Sequence, residues 1–120
     1  MIGRKRVLII DEDRRTVDRL QETFSQFGFE AEIALSVLVG QSIAAERYMS
    51  VVLINAKIGN ESNWEAVRRL KESDPNLPVV LFNAPKGLSK EARRAGVAKF
   101  ISTEADAQML FSEARKVMRN

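Results

Sequence analysis

Several side chains that could do chemistry follow directly after short apolar runs of this sequence. Asp11 and Glu12 follow RVLII, Asn55 ends VVLIN, and Asn83 follows VVLF. Carboxylate and amide oxygens are ligands for hard cations such as Mg²⁺, and a carboxylate is also a nucleophile in phosphoryl transfer. Asn55 offers only a neutral amide, which can ligate a metal but cannot act as that nucleophile.

These residues need a scaffold, and the rest of the sequence predicts one. The apolar runs have the length of buried strands, and apolar residues at three- and four-residue spacing predict amphipathic helices between them. The predicted strands span residues 6–10, 29–34, 51–54, 79–82 and 97–101. The predicted helices span residues 14–27, 36 to about 48, 62–71, 88–95 and 103 to about 118. Gly28 is expected to end the first helix, and Ser36 is expected to cap the second. Capping boxes at Ser62 with Glu65 and at Thr103 with Asp106 are expected to begin the third and the fifth.

Strands and helices that alternate along a chain predict an α/β fold, in which helices cover both faces of a parallel sheet. In such sheets, the residues just past the carboxyl ends of the strands meet at one edge, where ligands usually bind. We therefore expect one set of side chains to gather there: Asp11, Glu12, Asn55, Asn83 and Thr103.

The composition excludes several classes of protein. The 120 residues, 45% hydrophobic and 29% charged, suit one globular domain over residues 1–120, which we expect to be the N-terminal part of a longer protein. The chain has no cysteine and no histidine, so disulfides, thiolate chemistry and the commonest general base are absent. No apolar run approaches the roughly 20 residues of a membrane span, and a net charge of +3 with scattered basic residues does not favour nucleic-acid binding. We expect a cytoplasmic domain without membrane insertion that is not an enzyme.

Four segments carry a resemblance to a known family. VLIIDED, YMSVVLIN, PVVLFNA and AGVAKFIST are similar, in order and spacing, to strands one, three, four and five of the receiver domain of bacterial two-component response regulators. The resemblance covers essentially the whole chain. It implies the flavodoxin-like (CheY-like) fold, a doubly wound five-stranded parallel sheet in the order 2-1-3-4-5 with five helices, and a place in phosphorelay signalling.

On the family's pattern, the acidic pair matches and three other functional positions differ. Asp11 and Glu12 fall on the metal-binding acids, whereas Asn55 falls on the phosphorylated aspartate. Asn83 falls on the switch hydroxyl and Thr103 on the invariant lysine. With these departures the chain resembles a degenerate pseudo-receiver. That resemblance implies no phosphoacceptor, no catalytic residue, no required cofactor, and only weak or vestigial Mg²⁺ binding.

Two further departures concern the surface that receivers use to bind partners. Phe100 falls on the aromatic residue that reports the switch, and Glu104 falls on the family's cis proline. Basic residues around the fourth helix are expected to form a partner surface with Phe100: Lys86, Lys90, Arg93 and Arg94. The resemblance implies a phosphorylation-independent signalling module that docks on a protein partner or on another domain of its own chain. Homodimer formation is a further expectation.

Two other functions stay open at this point. The chain could be an atypical receiver that is phosphorylated at another acid, such as Asp13, or regulated by a ligand in the vestigial pocket. It could instead be a flavodoxin-like cofactor binder, although DEDRR stands where a glycine-rich phosphate loop would follow the first strand.

Structural roles are alternatives for several of these residues. The acids at 11–13 could simply cap the first helix, because carboxylates stabilise a helix N-terminus. Asn55 and Asn83 could only connect loops through amide hydrogen bonds. Four aromatic side chains are assigned to packing: Trp64, Phe24, Phe27 and Phe111. Val37, Leu38 and Val39 could form an exposed partner surface, but the core is preferred for them too.

Overall fold

The computed structural model describes residues 3–58, 63–102 and 104–120. Within these residues, five parallel strands form one sheet in the order β2-β1-β3-β4-β5, which confirms the predicted fold and strand order. The strands are β1 (Arg6–Ile10), β2 (Glu30–Ala34), β3 (Val51–Asn55), β4 (Val79–Phe82) and β5 (Lys99–Phe100). The helices are α1 (Arg14–Gln26), α2 (Val37–Glu46), α3 (Asn63–Ser73), α4 (Ser89–Ala95) and α5 (Ala107–Val117), with a 3₁₀ turn at Lys86–Leu88 before α4. None of the described helices is long and apolar enough to cross a membrane.

The sheet separates two apolar layers. Successive side chains of a strand point to opposite faces, and the central strands β1, β3 and β4 are apolar and buried on both. One layer joins these strands to α2, α3 and α4. The other joins them to α1 and α5, where the rings of Phe24 and Phe111 meet edge to face with centroids 5.0 Å apart. The sheet is therefore held rigidly between helices, and its edge can position side chains accurately.

Three predicted details differ from the structure. α5 begins at Ala107, because the carboxylate of Asp106 caps it by accepting a hydrogen bond from the Met109 N–H at 2.9 Å. A start at Thr103 was therefore wrong, and Thr103 and Ser62 themselves lie outside the described residues. Phe27 is not a core residue. It lies at the end of α1, past the last buried turn, with 52% of its surface exposed and its ring stacked on the outer side of Phe111.

α2 lies against the sheet at Gly40 and turns two of its apolar residues outward. A Cβ atom on Gly40 would lie 2.4 Å from Cδ1 of Ile10, so only glycine allows this approach. Val37 packs against the core, as predicted. Leu38 and Val39 do not, because they follow on the opposite side of the helix, where they are 73% and 50% exposed.

The segment after α5 folds back onto the amino-terminal end of β3. The Arg119 guanidinium donates two hydrogen bonds to the Asp74 carboxylate, and its Nε donates one to the Met49 carbonyl at 3.1 Å. It also lies 4.2 Å from the centre of the Tyr48 ring, and the backbone N–H of Arg119 donates to the Ser50 carbonyl. Together these contacts form what we call the Arg119 latch. The hydrogen bonds from Arg119 lower the pKa of the Asp74 carboxyl below its ordinary value.

Gly40→Ala is expected to lower the free energy of unfolding by about 1–2 kcal/mol, because the new methyl group overlaps the buried side chain of Ile10. Gly87→Ala is the matched control, since a Cβ atom there meets nothing within 4 Å. Combining Gly40→Ala with Ile10→Val, which removes Cδ1, is expected to cost less than the two single changes added together. Urea unfolding compares the wild type with the three single variants and the double variant. An equal, small effect of the two glycine changes would contradict the close approach.

Arg119→Ala is expected to lower the free energy of unfolding by about 1 kcal/mol at neutral pH, because it removes charge-assisted hydrogen bonds at a partly buried site that solvent screens in part. The folded-state pKa of Asp74 lies below its ordinary value of 3.8, so the latch contributes fully above that value. The difference in free energy of unfolding between the wild type and Arg119→Ala should shrink as the pH falls through the lowered pKa of Asp74.

Arg69→Ala is the control for the latch, because the ion pair that Arg69 forms with Glu65 at 3.9 Å is exposed to solvent. Arg69→Ala should change the free energy of unfolding by no more than about 0.5 kcal/mol at every pH. Denaturant titrations from neutral to acidic pH make both comparisons. A cost of Arg119→Ala that does not change with pH would rule out Asp74 as the partner that matters.

Candidate functional site

The carboxyl edge of the sheet brings Asp11, Asn55 and Asn83 together, as predicted. Each residue stands at or just past the end of one of three adjacent strands, β1, β3 and β4. Backbone hydrogen bonds continue the strand pairing past these ends, from the Asp11 N–H to the Ala34 carbonyl and from the Ala84 N–H to the Ile101 carbonyl. The parallel register therefore sets the spacing of the three polar side chains.

Asp11 carries a carboxylate that is 1% exposed, yet both of its oxygens are hydrogen-bonded. Oδ1 accepts from the backbone N–H of Asp13 at 3.1 Å, and Oδ2 accepts from the side-chain amide of Asn55 at 3.0 Å. A buried anion is costly unless it is paired or hydrogen-bonded. At this edge a neutral amide supplies one of the two donors.

Asn55 uses both ends of its side chain. Nδ2 donates to Asp11, and Oδ1 accepts from the backbone N–H of Lys57 at 2.8 Å. Rotating the amide by half a turn would place oxygen against the Asp11 carboxylate and nitrogen against the Lys57 N–H, so the observed orientation is the one that satisfies both contacts. A carboxylate at this position would instead face a second carboxylate at about 3 Å, which is strongly repulsive at low local dielectric.

Asn83 completes the arrangement in a strained backbone conformation. Its φ of 58° lies in the left-handed region, which asparagine tolerates better than most residues. Its side-chain amide lies 3.5 Å from Oδ1 of Asn55, at the limit of a hydrogen bond. A contact of this kind connects the loops that follow β3 and β4, which is the structural alternative to a switch role for Asn83.

The side-chain carboxylates of the neighbouring acids Glu12 and Asp13 have other surroundings. Asp13 caps α1 by accepting from the Arg15 N–H at 3.3 Å and from the Thr16 hydroxyl at 2.7 Å, so the helix-capping role is confirmed for Asp13. Glu12 is exposed. Across the described ranges, no three Asp, Glu, His or Cys side chains are grouped so that they could hold a metal. The oxygens that could still contact Mg²⁺ belong to Asp11, Glu12 and Asn55, and weak binding there stays a prediction.

The remaining predicted positions lie around this edge or outside the described residues. Phe100 is half-buried on β5 and packs against the core layer of α2, α3 and α4. Glu104 is exposed, and Thr103 lies outside the residues that the structure describes.

Four basic side chains near α4 are exposed, and we call them the cationic surface: Lys86, Lys90, Arg93 and Arg94. Within the described parts of the chain, none of the four has a carboxylate within 4 Å, whereas nearby Lys99 pairs with Glu113 at 3.4 Å. Unpaired cations on one side of a short helix attract an acidic group electrostatically. A partner surface at this place stays a prediction.

Sequence reasoning did not find the hydrogen bond between Asn55 and Asp11. A signal for it existed, because both residues end neighbouring strands, and the register pairs Ile10 with Ile54. It also missed the Arg119 latch, whose partners Asp74 and Met49 are 45 and 70 residues away in sequence.

Comparisons with known proteins agree with the fold. The family model of the flagellar regulatory protein FleQ matches residues 6–103. The photosynthetic apparatus regulatory protein RegA of Rhodobacter capsulatus is 26% identical over 103 residues, which covers 84% of this chain and 56% of RegA. The transcriptional regulatory protein CusR of Escherichia coli K12 is 22% identical over 79 residues, which covers 66% of this chain and 35% of CusR. The chain thus spans about half the length of RegA and less of CusR.

Two solved structures are similar over nearly all of both chains. A CheY-like response regulator receiver domain protein of Methanospirillum hungatei JF-1 matches with a TM-score of 0.87 at 20% identity, covering 95% of this chain and 93% of that one. The chemotaxis protein CheY4 of Vibrio cholerae matches with a TM-score of 0.86 at 14% identity, covering 96% and 99%. At such identities the similarity concerns the fold.

Asn55→Asp is expected to make stability depend on Mg²⁺. The change replaces a donor to Asp11 with a second anion, which should lower the free energy of unfolding by about 1–3 kcal/mol without a divalent cation. Mg²⁺ should restore part of this loss, and it should change the melting temperature of the wild type little. The measurement is a thermal melt of both proteins with Mg²⁺ or with EDTA. Asn55→Ala is the control, because it removes the donor without adding a charge. Equal stabilisation of the wild type and Asn55→Asp by Mg²⁺ would contradict this account.

Proposed function

Because the chain belongs to the family of the flagellar regulatory protein FleQ and is a receiver domain of the response-regulator type, we propose that it signals without being phosphorylated. In this proposal it is a pseudo-receiver, which presents a fixed surface to a protein partner or to another domain of its own chain. Receiver domains are signalling modules and not enzymes in the usual sense. The proposal assigns no catalytic residue to the domain.

One observation carries this proposal: the side-chain amide of Asn55 donates to the buried carboxylate of Asp11. Acceptance of a phosphoryl group needs a nucleophile and a cation that neutralises the developing charge. Asn55 supplies no anionic oxygen, and its amide occupies one of the two Asp11 oxygens that a cation would bind. Both requirements are therefore weakened by the same hydrogen bond.

The alternative of phosphorylation at a different acid has less support. Asp13 is the acid next to the pocket, but its carboxylate holds the first turn of α1 through the Arg15 N–H and the Thr16 hydroxyl. A flavodoxin-like cofactor binder is the third candidate, and membership of a receiver family argues against it.

The cationic surface supports the docking part of the proposal. Lys86, Lys90, Arg93 and Arg94 are exposed around α4 and have no described carboxylate within 4 Å. Phe100, half-buried on the neighbouring strand β5, adds an apolar contact. We propose that a complementary acidic surface binds here, since charge complementarity both steers and orients protein association.

Phosphorylation is tested by incubating the domain with acetyl phosphate and Mg²⁺ and measuring its intact mass. The expected result is an unchanged mass under conditions in which a receiver with an aspartate phosphoacceptor, run in parallel, gains one phosphoryl group. A wild-type adduct would contradict the proposal, and an adduct that disappears in Asp13→Asn would move the proposal to phosphorylation at Asp13.

Docking is tested in cells that carry variants of the native gene. Arg93→Glu combined with Arg94→Glu is expected to give the same transcript profile as deletion of the gene. The control pair is Arg68→Glu with Arg69→Glu, which changes two arginines on α3 that are also exposed and should leave the wild-type profile. Thermal melts verify that both variants fold. A wild-type profile in the Arg93 and Arg94 variant would exclude this surface.

A further inference from the structure

We propose that a cleft between α1 and α5 binds a free α-amino acid with an aliphatic side chain. The two helices pack against each other on one face of the sheet, and a cavity of about 270 Å³ lies between their first turns. Asp11, Asn55 and Asn83 do not line this cavity. The inference therefore goes beyond the docking function and does not depend on the phosphorylation state of the domain. We call the site the α1–α5 cleft, and its charged lining consists of four side chains: Asp13, Arg15, Arg19 and Asp106.

The two cations of the α1–α5 cleft lie on one face of α1 and have no close counter-charge. Arg15 and Arg19 are one turn apart, an arrangement in which like charges destabilise a helix. In the described parts of the chain neither guanidinium has a carboxylate within 4 Å, not even that of Asp18 or Glu22 on the same helix. Together the two arginines can hold a carboxylate group, which a guanidinium binds through two parallel hydrogen bonds.

The start of α5 supplies the acceptor on the other side of the cleft. Asp106 caps α5 through Oδ1, which accepts from the Met109 N–H at 2.9 Å. Its other oxygen, Oδ2, has no donor within hydrogen-bond distance among the described residues. Asp13 differs, because its two oxygens accept from the Arg15 N–H and from the Thr16 hydroxyl. Oδ2 of Asp106 is therefore the oxygen that can accept a hydrogen bond from an ammonium group.

The charges of the lining favour a zwitterion over a simple anion or a simple cation. Two cations and two carboxylates line the cleft, so their charges sum to zero. A simple anion would meet Asp13 and Asp106 as well as the arginines, and a simple cation would meet both arginines. A free α-amino acid carries both charges on neighbouring groups. It can therefore place its carboxylate at Arg15 and Arg19 on α1 and its ammonium at Asp106 on α5.

The apolar floor and the volume of the cleft select the rest of the ligand. Leu20 and Leu110 are 1% and 2% exposed and separate the cavity from the core, while Ala105 and Ala107 leave room above them. Sites for drug-sized ligands have about 300–1,000 Å³, so this cavity suits a smaller molecule, whose aliphatic side chain would cover the floor. Because both arginines are exposed, we expect a dissociation constant on the order of 1 mM.

The test is an NMR titration of the wild-type domain with L-leucine at constant pH, followed through the backbone amides of Ala105 and Leu110. Saturable shifts are expected. Two derivatives are the matched probes: N-acetyl-leucine lacks the ammonium, and leucinamide lacks the carboxylate. Each should bind at least about tenfold more weakly than leucine, because each lacks one of the two charged contacts. The absence of saturable shifts with leucine, or equal affinity for all three compounds, would overturn the proposal.

Variants separate the charges of the cleft from their structural roles. Asparagine caps a helix as well as aspartate does, so Asp106→Asn should leave the melting temperature close to the wild-type value. It should nevertheless raise the dissociation constant for leucine at least about fivefold, and so should Arg15→Gln combined with Arg19→Gln. The control is Arg68→Gln with Arg69→Gln, which removes two exposed arginines from α3 and should leave the affinity unchanged. An affinity for leucine that either change in the cleft leaves intact would also overturn the proposal.

Discussion

The carboxylate of Asp11 is the constraint on which the functional edge depends. It is buried at the end of a central strand, so it must be met by a cation or by hydrogen-bond donors. The Asp13 N–H and the Asn55 amide meet it here. The oxygen of the same side-chain amide accepts from the Lys57 N–H, two residues further along the chain. One neutral side chain thus satisfies one oxygen of the acid and also holds the backbone N–H of Lys57.

The fold and the composition of this edge could be predicted because both depend on short-range patterns. Apolar runs of four or five residues marked β1, β3 and β4, and parallel strands necessarily bring their carboxyl ends to one edge. Asp11, Asn55 and Asn83 were therefore placed together from the sequence. The direction of the hydrogen bond between Asn55 and Asp11 was not predicted, because it depends on the relative orientation of two side chains 44 residues apart.

The predictions from sequence were wrong where the packing of a helix, and not the local spacing of apolar residues, decides which side chains are buried. VLV at the start of α2 appeared suited to the core, but Gly40 brings the helix so close to Ile10 that Leu38 and Val39 must point outward. Phe27 follows the helical spacing of α1 but lies where the helix has already ended. The Arg119 latch has no local signature, since it joins the segment after α5 to the loops before β3 and β4. The outward side of α2 is an exposed apolar surface, and the Arg119 latch fixes the end of the chain; the pattern of the strands predicts neither of them.

The central claim, which stays a proposal, is that Asn55 offers no anionic nucleophile and occupies one of the two Asp11 oxygens, so that the domain does not switch by phosphorylation. A titration with Mg²⁺ and beryllofluoride, followed by NMR of the backbone amides, tests this most directly. Beryllofluoride mimics a phosphoryl group and binds only where an anionic nucleophile and a cation are held together. The account predicts no coherent shifts at Asn55, Asn83 or Phe100. Saturable shifts that begin at Asn55 and extend to Phe100 would contradict it, because they would show a working switch between the pocket and β5.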